Sequence, residues 1–309
     1  MPGLLLKNFD VEIKYTQIFI NNEWHKASNG KTFPVINPST GEEICLVEEG
    51  TKNDIDKAVE AAQKAFQRNS SWRKLQPMAR ANLIRKFADL LRRDADYLSK
   101  LETLNGGKVL KESYCEILGA AACLDYCKCH SYPSSLSHIY VYYMFKNLFI
   151  MLFQTLMLTL KLGPALTCGN VVVLKPAEQT PLTVLYCASL IKEAGFPPGV
   201  VMVLIMVMQL LHMKKINKIP FTGSVEVGKT IQEIAGKTNL KRVSLELGGK
   251  LPLIICEDAD LDLAVTTAQI CFAASRVFVH SKIHDEFVMK SVELAKKRIV
   301  GDPFDTATD

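Results

Sequence analysis

The sequence predicts an α/β protein built on a doubly wound parallel sheet. Residues 171–174 form a continuous apolar run, which is typical of a strand buried on both faces of a parallel sheet. Strand and helix patterns alternate along the chain from Gly163 onward, and Gly195 with Pro197 and Pro198 marks a helix end. With 309 residues, 48% of them apolar, the chain can bury one large core or two smaller ones.

The N-terminal elements follow from local patterns. Residues 18–24 form an apolar strand ending in an Asn-Asn turn, and residues 32–38 continue as extended chain. A helix begins where Asn53 or Asp54 can cap it, because apolar residues then recur at spacings of three and four. These residues are Ile55, Val59, Ala62 and Phe66. A second helix closes near residues 105–107.

The later elements alternate. A helix over residues 183–194 ends at Gly195. A short strand over 218–222 leads into a helix over 225–235 that Gly236 stops, and another strand covers 251–256. This alternation is the pattern of a doubly wound sheet.

Composition excludes several functions. The chain has 37 basic and 32 acidic residues without a basic block, so we expect no nucleic-acid partner. Nine irregularly spaced cysteines without a signal-peptide pattern predict a reducing, cytoplasmic location. The apolar runs 148–160 and 200–213 are shorter than the roughly 17–20 residues of a spanning helix, so we expect no membrane association.

Four residues superficially resemble metal ligands. They are Cys123, Cys127, Cys129 and His130. The spacing of Cys123 and Cys127 is common in the core of a helix, and no second ligand pair with zinc-like spacing follows. We therefore predict no metal site.

A glycine-bounded turn, residues 223–228, lies between a predicted strand and a predicted helix. Glycine lets backbone N–H groups approach a phosphate, and the helix N-terminus adds partial positive charge. A tight turn needs glycine in any case, so both interpretations stay open. Lys175 and Glu178 follow the strand at 171–174, at the end where parallel sheets bind ligands, although alone they would be a solvated loop.

Glu246 lies in the run 245–250, beside Gly248 and Gly249, and Cys271 follows downstream. Such a pair suits a reaction in which a thiolate attacks a carbonyl and a base then activates water.

These motifs together resemble the aldehyde dehydrogenase superfamily, and within it the cytosolic, retinaldehyde-oxidising class 1 group. The resemblance extends from about residue 15 to 305, and its clearest segments are 163–166, 168–170, 175–181, 221–224, 245–250 and 270–276. Segments 18–24 and 191–200 support the subgroup. The resemblance implies a Rossmann-like NAD-binding domain over residues 1–247, followed by the start of an incomplete catalytic domain over 248–309.

The resemblance also implies roles for individual residues. Lys175 and Glu178 would hold the adenosine ribose, and a carboxylate there would favour NAD over NADP. Ser224 would contact the pyrophosphate, and Gly223, Gly228 and Leu247 complete the implied cofactor site.

The implied reaction is NAD-dependent oxidation of an aldehyde, retinaldehyde or another aliphatic or aromatic one, to a carboxylic acid. Cys271 would be the nucleophile and Glu246 the general base for water. The family forms homo-oligomers, but we expect its pairing strand to be missing here.

Several departures from the family predict weak or no turnover. Glu246 and Cys271 are closer in sequence than in the family, and the helix before Cys271 lacks roughly nine residues, about 13 Å of length. Cys271 is alternatively a small buried apolar residue. Leu152 occupies the position of an oxyanion-binding Asn, and residues 204–210 replace a glycine-rich loop. The alternative function is therefore a non-catalytic remnant that binds dinucleotide or interacts with intact homologues.

Overall fold

The computed structural model describes residues 11–129, 139–144, 154–205, 209–249, 252–267 and 276–309. Its first elements are two antiparallel strand pairs: β1 (Ile18–Ile20) with β2 (Glu23–His25), and β3 (Thr32–Ile36) with β4 (Glu43–Glu48). The predicted Asn-Asn turn joins β1 to β2. Asn21 and Asn22 both have positive φ, 58° and 63°, which Asn tolerates better than most residues.

A helical layer follows, made of α1 (Lys52–Phe66), α2 (Ser71–Lys74), α3 (Pro77–Arg93), α4 (Ala95–Gly106) and α5 (Leu110–Cys129). The prediction that Asn53 or Asp54 caps α1 was wrong, because Thr51 is the N-cap residue. Asp54 instead closes a capping box with Thr51, which satisfies two backbone donors at once. The predicted second helix is two helices, α3 and α4, which meet at Asp94.

The parallel sheet contains β5 (Ile139–Met144), β6 (Val171–Lys175), β7 (Val201–Val203), β8 (Lys218–Gly223) and β9 (Arg242–Leu247). Its helices are α6 (Gln154–Thr167), α7 (Leu182–Ala194), α8 (Gln209–His212) and α9 (Val225–Lys237). The parallel strands lie in the order β7-β6-β5-β8-β9, and the β1–β2 pair extends the sheet antiparallel beyond β7. The order reverses after β5, so right-handed crossovers place helices on both faces. The predicted doubly wound α/β fold is confirmed.

The central strand β5 comes from a stretch without any motif in the sequence. Its residues Ile139–Met144 pair in parallel with β6 on one side and β8 on the other. The run Ile-Tyr-Val-Tyr-Tyr-Met is rich in β-branched and aromatic residues, which favour strands. A central parallel strand lacks the polar–apolar alternation that identifies strands most clearly.

The main core lies between the sheet and its helices. All five residues of β6 are buried. Parts of the apolar run 200–213 on either side of residues 206–208 also belong to this core, since Leu204, Ile205, Leu210 and Leu211 are almost fully buried around β7 and α8. No helix among the described residues is long and apolar enough to cross a membrane.

A smaller unit follows, with β10 (Pro252–Ile255), α10 (Leu261–Thr267), β11 (Arg276–Val279) and α11 (His284–Lys297). The two strands pair in parallel, and β10 corresponds to the strand that the sequence predicted over residues 251–256. Ile255, Val265 and Phe287 form its own small core. The Leu110 N–H donates a 2.9 Å hydrogen bond to the Pro303 carbonyl, which ties the chain after this unit to the start of α5.

Candidate active site

The predicted site residues meet at the carboxyl edge of the parallel sheet. Lys175 ends β6, Gly223 ends β8, and Glu246 and Leu247 end β9. Open parallel sheets bind ligands at this edge, in the crevice where the strand order reverses. Here the reversal lies between β5 and β8, so the sequence placed these residues at the correct edge.

Strand register fixes their spacing. Thr222 pairs with Glu246 and Gly223 with Leu247 across β8 and β9. Lys175 and Phe221 are both register partners of Tyr143, on opposite sides of β5. Two strand spacings, about 10 Å, therefore separate the backbone of Lys175 from that of β8.

Lys175 is buried and forms an ion pair with Glu178. Its Nζ lies 2.6 Å from Oε1 of Glu178, and its side chain is fully buried. Burial lowers the pKa of Lys175, and the Glu178 carboxylate opposes that shift. Glu178 retains 38% side-chain exposure, so the pair presents an acceptor toward solvent while its cation is held in the sheet.

Ser224 begins α9 next to this edge. It is the N-cap residue, and its Oγ accepts a 3.2 Å hydrogen bond from the Val227 N–H. The partial positive charge of a 13-residue helix is therefore directed at the carboxyl edge of β8.

Gly228 has a packing role in the first turns of α9. A Cβ built at Gly228 would lie 2.9 Å from Cδ2 of Leu247, which is closer than real Cβ contacts. Glycine thus lets α9 approach the end of β9. This packing is a further reason for glycine at 228, and it leaves both interpretations of the glycine-bounded turn as predictions.

Glu246 is exposed. Two residues that the sequence did not point to, Lys161 and Thr222, lie near it. Nζ of Lys161, on α6, donates a 2.6 Å hydrogen bond to Oγ1 of Thr222, the register partner of Glu246. Burial lowers the pKa of Lys161 to about 8, and the negative charge of Glu246 opposes that change. One sequence signal was available, since Lys161 is a lone cation at the end of the apolar run 148–160.

Cys271 and Leu152 lie outside the described residues, so their predicted positions stay predictions. Helix α10 is the last described element before Cys271 and comprises Leu261–Thr267.

A cleft of about 590 Å³ lies elsewhere, between the β1–β2 pair and α1. Its charged lining residues are Glu23, His25, Asp54, Lys57, Glu60 and Lys64. Their mixed signs suit no single charged ligand, and no predicted site residue lines this cleft. Among the residues that the structure describes, no group of three His, Cys, Asp or Glu side chains could hold a metal ion.

Comparison with known families decides the relationship. The model of the aldehyde dehydrogenase family matches residues 24–135 and 153–309. The chain belongs to the aldehyde dehydrogenase family. In this aldehyde dehydrogenase chain, the interval between the two matched segments, 136–152, contains the central strand β5.

Two curated human relatives show how much of the family the chain covers. It is 49% identical to human retinaldehyde dehydrogenase 3 over 336 residues, which covers all of this chain and 65% of that protein. It is 48% identical to human aldehyde dehydrogenase 1A1 over 330 residues, covering 98% of this chain and 66% of the relative. The chain therefore spans just under two thirds of these relatives.

Solved structures share the fold at lower identity. Betaine aldehyde dehydrogenase from Staphylococcus aureus in complex with NAD+ has a TM-score of 0.87 at 30% identity, covering 96% of this chain and 64% of that one. An aldehyde dehydrogenase from Bacillus cereus in an NAD+ complex also has a TM-score of 0.87, at 35% identity, with 96% and 65% covered.

Proposed function

We propose that the chain binds NAD at the carboxyl edge of its parallel sheet. Lys175 and Glu178 hold the adenosine ribose hydroxyls, since the pair combines a buried cation with a half-exposed carboxylate. That carboxylate repels a 2′-phosphate and so favours NAD over NADP. The observation that carries this proposal is the convergence of Lys175, Gly223 and Leu247 on one edge at the point where strand order reverses.

The pyrophosphate position follows from α9. Gly223 and Ser224 lie at its N-terminus, where backbone N–H groups and the helix dipole favour an anion. Gly228 keeps α9 close to Leu247, which borders the same crevice. The two similar solved structures that contain NAD+ support this assignment.

The proposed reaction is oxidation of an aldehyde, retinaldehyde or another aliphatic or aromatic aldehyde, to its carboxylic acid. Bound NAD supplies the hydride acceptor. The Cys271 thiolate attacks the carbonyl carbon to give a thiohemiacetal, which becomes a thioester once its hydride has been transferred. Water that Glu246 deprotonates then hydrolyses the thioester to the carboxylic acid and frees the Cys271 thiol. Lys161, whose pKa the Glu246 charge raises against the effect of burial, lies near this proposed base.

We propose low turnover for this chain. Leu152 cannot donate a hydrogen bond to an oxyanion, and losing one such donor costs on the order of 10²–10³ in rate. Dinucleotide binding without turnover is the second candidate. It is favoured because Lys175 is buried in β6 and Leu247 packs against the large core, whereas Cys271 follows α10 and precedes β11 in the chain, both elements of the small unit.

The same two cores support the domain boundary. We propose an NAD-binding domain over residues 1–247 and a second domain beginning at 248. Cytoplasmic location is also proposed, because every cysteine whose state the structure gives is a free thiol.

NAD binding is tested with the purified chain by thermal unfolding with and without NAD. A ligand that binds only the folded state raises the midpoint as its concentration exceeds Kd. We expect this rise in the unaltered chain, a much smaller one in Lys175→Ala, and an unchanged one in Lys192→Ala, an exposed lysine on α7. An NAD-independent midpoint in the unaltered chain contradicts the cofactor proposal.

Catalysis is tested separately by NADH absorbance with retinaldehyde and a short aldehyde. We expect slow NADH formation that Cys271→Ala abolishes and Glu246→Gln strongly reduces. NAD-dependent stabilisation without NADH formation supports the second candidate instead. Turnover that survives Cys271→Ala contradicts the assigned nucleophile.

A further inference from the structure

Two cysteine thiols lie side by side between α5 and α6, away from the proposed cofactor residues. Cys123 and Cys127 are four residues apart on α5, so their side chains occupy the same helix face. Cys127 is buried, with 7% exposure, and Cys123 is half-buried. Their thiols are close enough for each to shift the pKa of the other.

Helix α6 packs closely against Cys127. A Cβ at Gly163 would lie only 2.7 Å from Sγ of Cys127, so glycine at this position makes room for the sulfur. The Thr159 side chain, also on α6, lies near Cys123. Residues of α6 therefore lie against both cysteines.

The thiols differ in their ionisation. The neighbouring Cys127 thiol lowers the pKa of Cys123 to about 7, because its S–H can donate to the Cys123 thiolate. The same interaction, together with burial, raises the pKa of Cys127. At neutral pH the pair thus offers a half-buried nucleophilic sulfur and a buried, protonated partner.

A direct disulfide does not suit this pair. Helix positions four apart hold their Cβ atoms about 5–6 Å apart. A disulfide needs about 3.5–4.5 Å between them. A single atom bonded to both sulfurs spans the longer separation without unwinding the helix.

We propose that Cys123 and Cys127 form a two-thiol binding site for a trivalent organic arsenical. In the reaction with an arylarsine oxide, the As=O bond is replaced by two As–S bonds. The two thiol protons and the arsenic-bound oxygen leave as water, and no atom changes oxidation state. This site is independent of the aldehyde chemistry proposed above.

The test is intact-protein mass spectrometry after treatment of the full chain with phenylarsine oxide in the presence of excess 2-mercaptoethanol. A monothiol displaces arsenic from isolated cysteines but not from a chelating pair. We expect one retained phenylarsenic group per chain, removed by a dithiol. The group should be lost in Cys123→Ser and in Cys127→Ser and kept in Cys115→Ser, an exposed thiol on the same helix.

Thermal unfolding of each variant shows that it is folded before labelling. Absence of a retained group in the folded, unaltered chain overturns the proposal. Retention in both Cys123→Ser and Cys127→Ser also overturns it, because the chelating pair would then lie among other cysteines.

Discussion

The main unit (residues 11–249) and the second unit (residues 252–297) differ in how much of their structure is buried. In the main unit, large side chains such as Trp72, Phe87 and Phe221 are almost fully buried. Among the residues of the second unit that the structure describes, three apolar side chains are buried, and Ile254 and Met289 are more than 60% exposed. The edge proposed to bind NAD is therefore held by an extensive core, whereas the unit that flanks Cys271 has little core of its own.

The largest expected effect comes from a buried ion pair in the main unit. Lys108 and Glu116 are 3% and 0% exposed, and Lys108→Met leaves the Glu116 carboxylate buried without its cation. We expect the free energy of unfolding, measured by urea titration, to fall by about 3–5 kcal/mol.

Lys100→Met is the matched control, since Lys100 and Asp96 form an exposed pair. Its effect should stay below about 1 kcal/mol. Equal losses in the two variants would contradict the view that burial makes the Lys108 pair important.

Much of the main unit was predictable because its signals are local. The strand at 171–174, the helix ending at Gly195 and the turn after Gly223 each depend on neighbouring residues, and the structure has them where expected. The central strand β5 was not predictable, because its place is decided by pairing with β6 and β8 rather than by a pattern of its own. The predicted N-cap of α1 was wrong for a different reason. Thr51, Asn53 and Asp54 lie within four positions, and each is of a residue type that caps helices.

A core substitution in the second unit should have a smaller effect that stays local. Phe287→Ala removes the largest of its three buried side chains. We expect a loss of about 2 kcal/mol, below the range of about 3–5 kcal/mol for Phe→Ala in a full core such as at Phe87. The NAD-dependent rise in unfolding midpoint should persist in Phe287→Ala. Loss of that rise would show that the two units are not independent.

The candidate site was predictable in part. Lys175 and Gly223 were placed at strand ends from local patterns, and the structure has them there. The roles of Ser224, Glu246 and Leu247 came from the family resemblance and stay predictions. The Lys161–Thr222 hydrogen bond was missed because it joins α6 to β8 across 61 positions of sequence. Only the fold brings such residues together. The hint in the sequence was a charged residue, Lys161, directly after the apolar run 148–160.

A finer test of the proposed edge concerns the contact between α9 and β9. Gly228→Ala places a Cβ against Leu247, and we expect a loss of about 1–3 kcal/mol from overpacking, together with weaker NAD binding. Gly236→Ala on the same helix is the control, because a Cβ there meets nothing within 4 Å. It should leave stability unchanged or raise it by roughly 0.5–1 kcal/mol. Similar losses at both positions would remove the packing role assigned to Gly228.

Glu102 should make the stability of the main unit depend on pH. Glu102 is fully buried, and burial with the nearby Glu116 charge raises its pKa to about 8. A 3.1 Å hydrogen bond from Oγ1 of Thr155 to Oε2 of Glu102 opposes this rise, as does the Lys108 cation, and the buried Cys187 thiol lies near Glu102. Ionisable groups of the second unit such as Asp262 and Glu286 are exposed, so this pH dependence belongs to the main unit.

The sign follows from proton counting. Between the ordinary glutamate pKa of 4.5 and about 8, folded Glu102 keeps a proton that the unfolded chain has lost, so stability falls as pH rises. Each such proton changes the free energy of unfolding by at most about 1.4 kcal/mol per pH unit. Glu102→Gln has no proton to lose, and its stability relative to the unaltered chain should therefore increase from pH 5 to pH 8 in urea titrations. A difference that is constant over this range would mean that Glu102 is ionised in the folded protein, with Lys108 shared between two buried carboxylates.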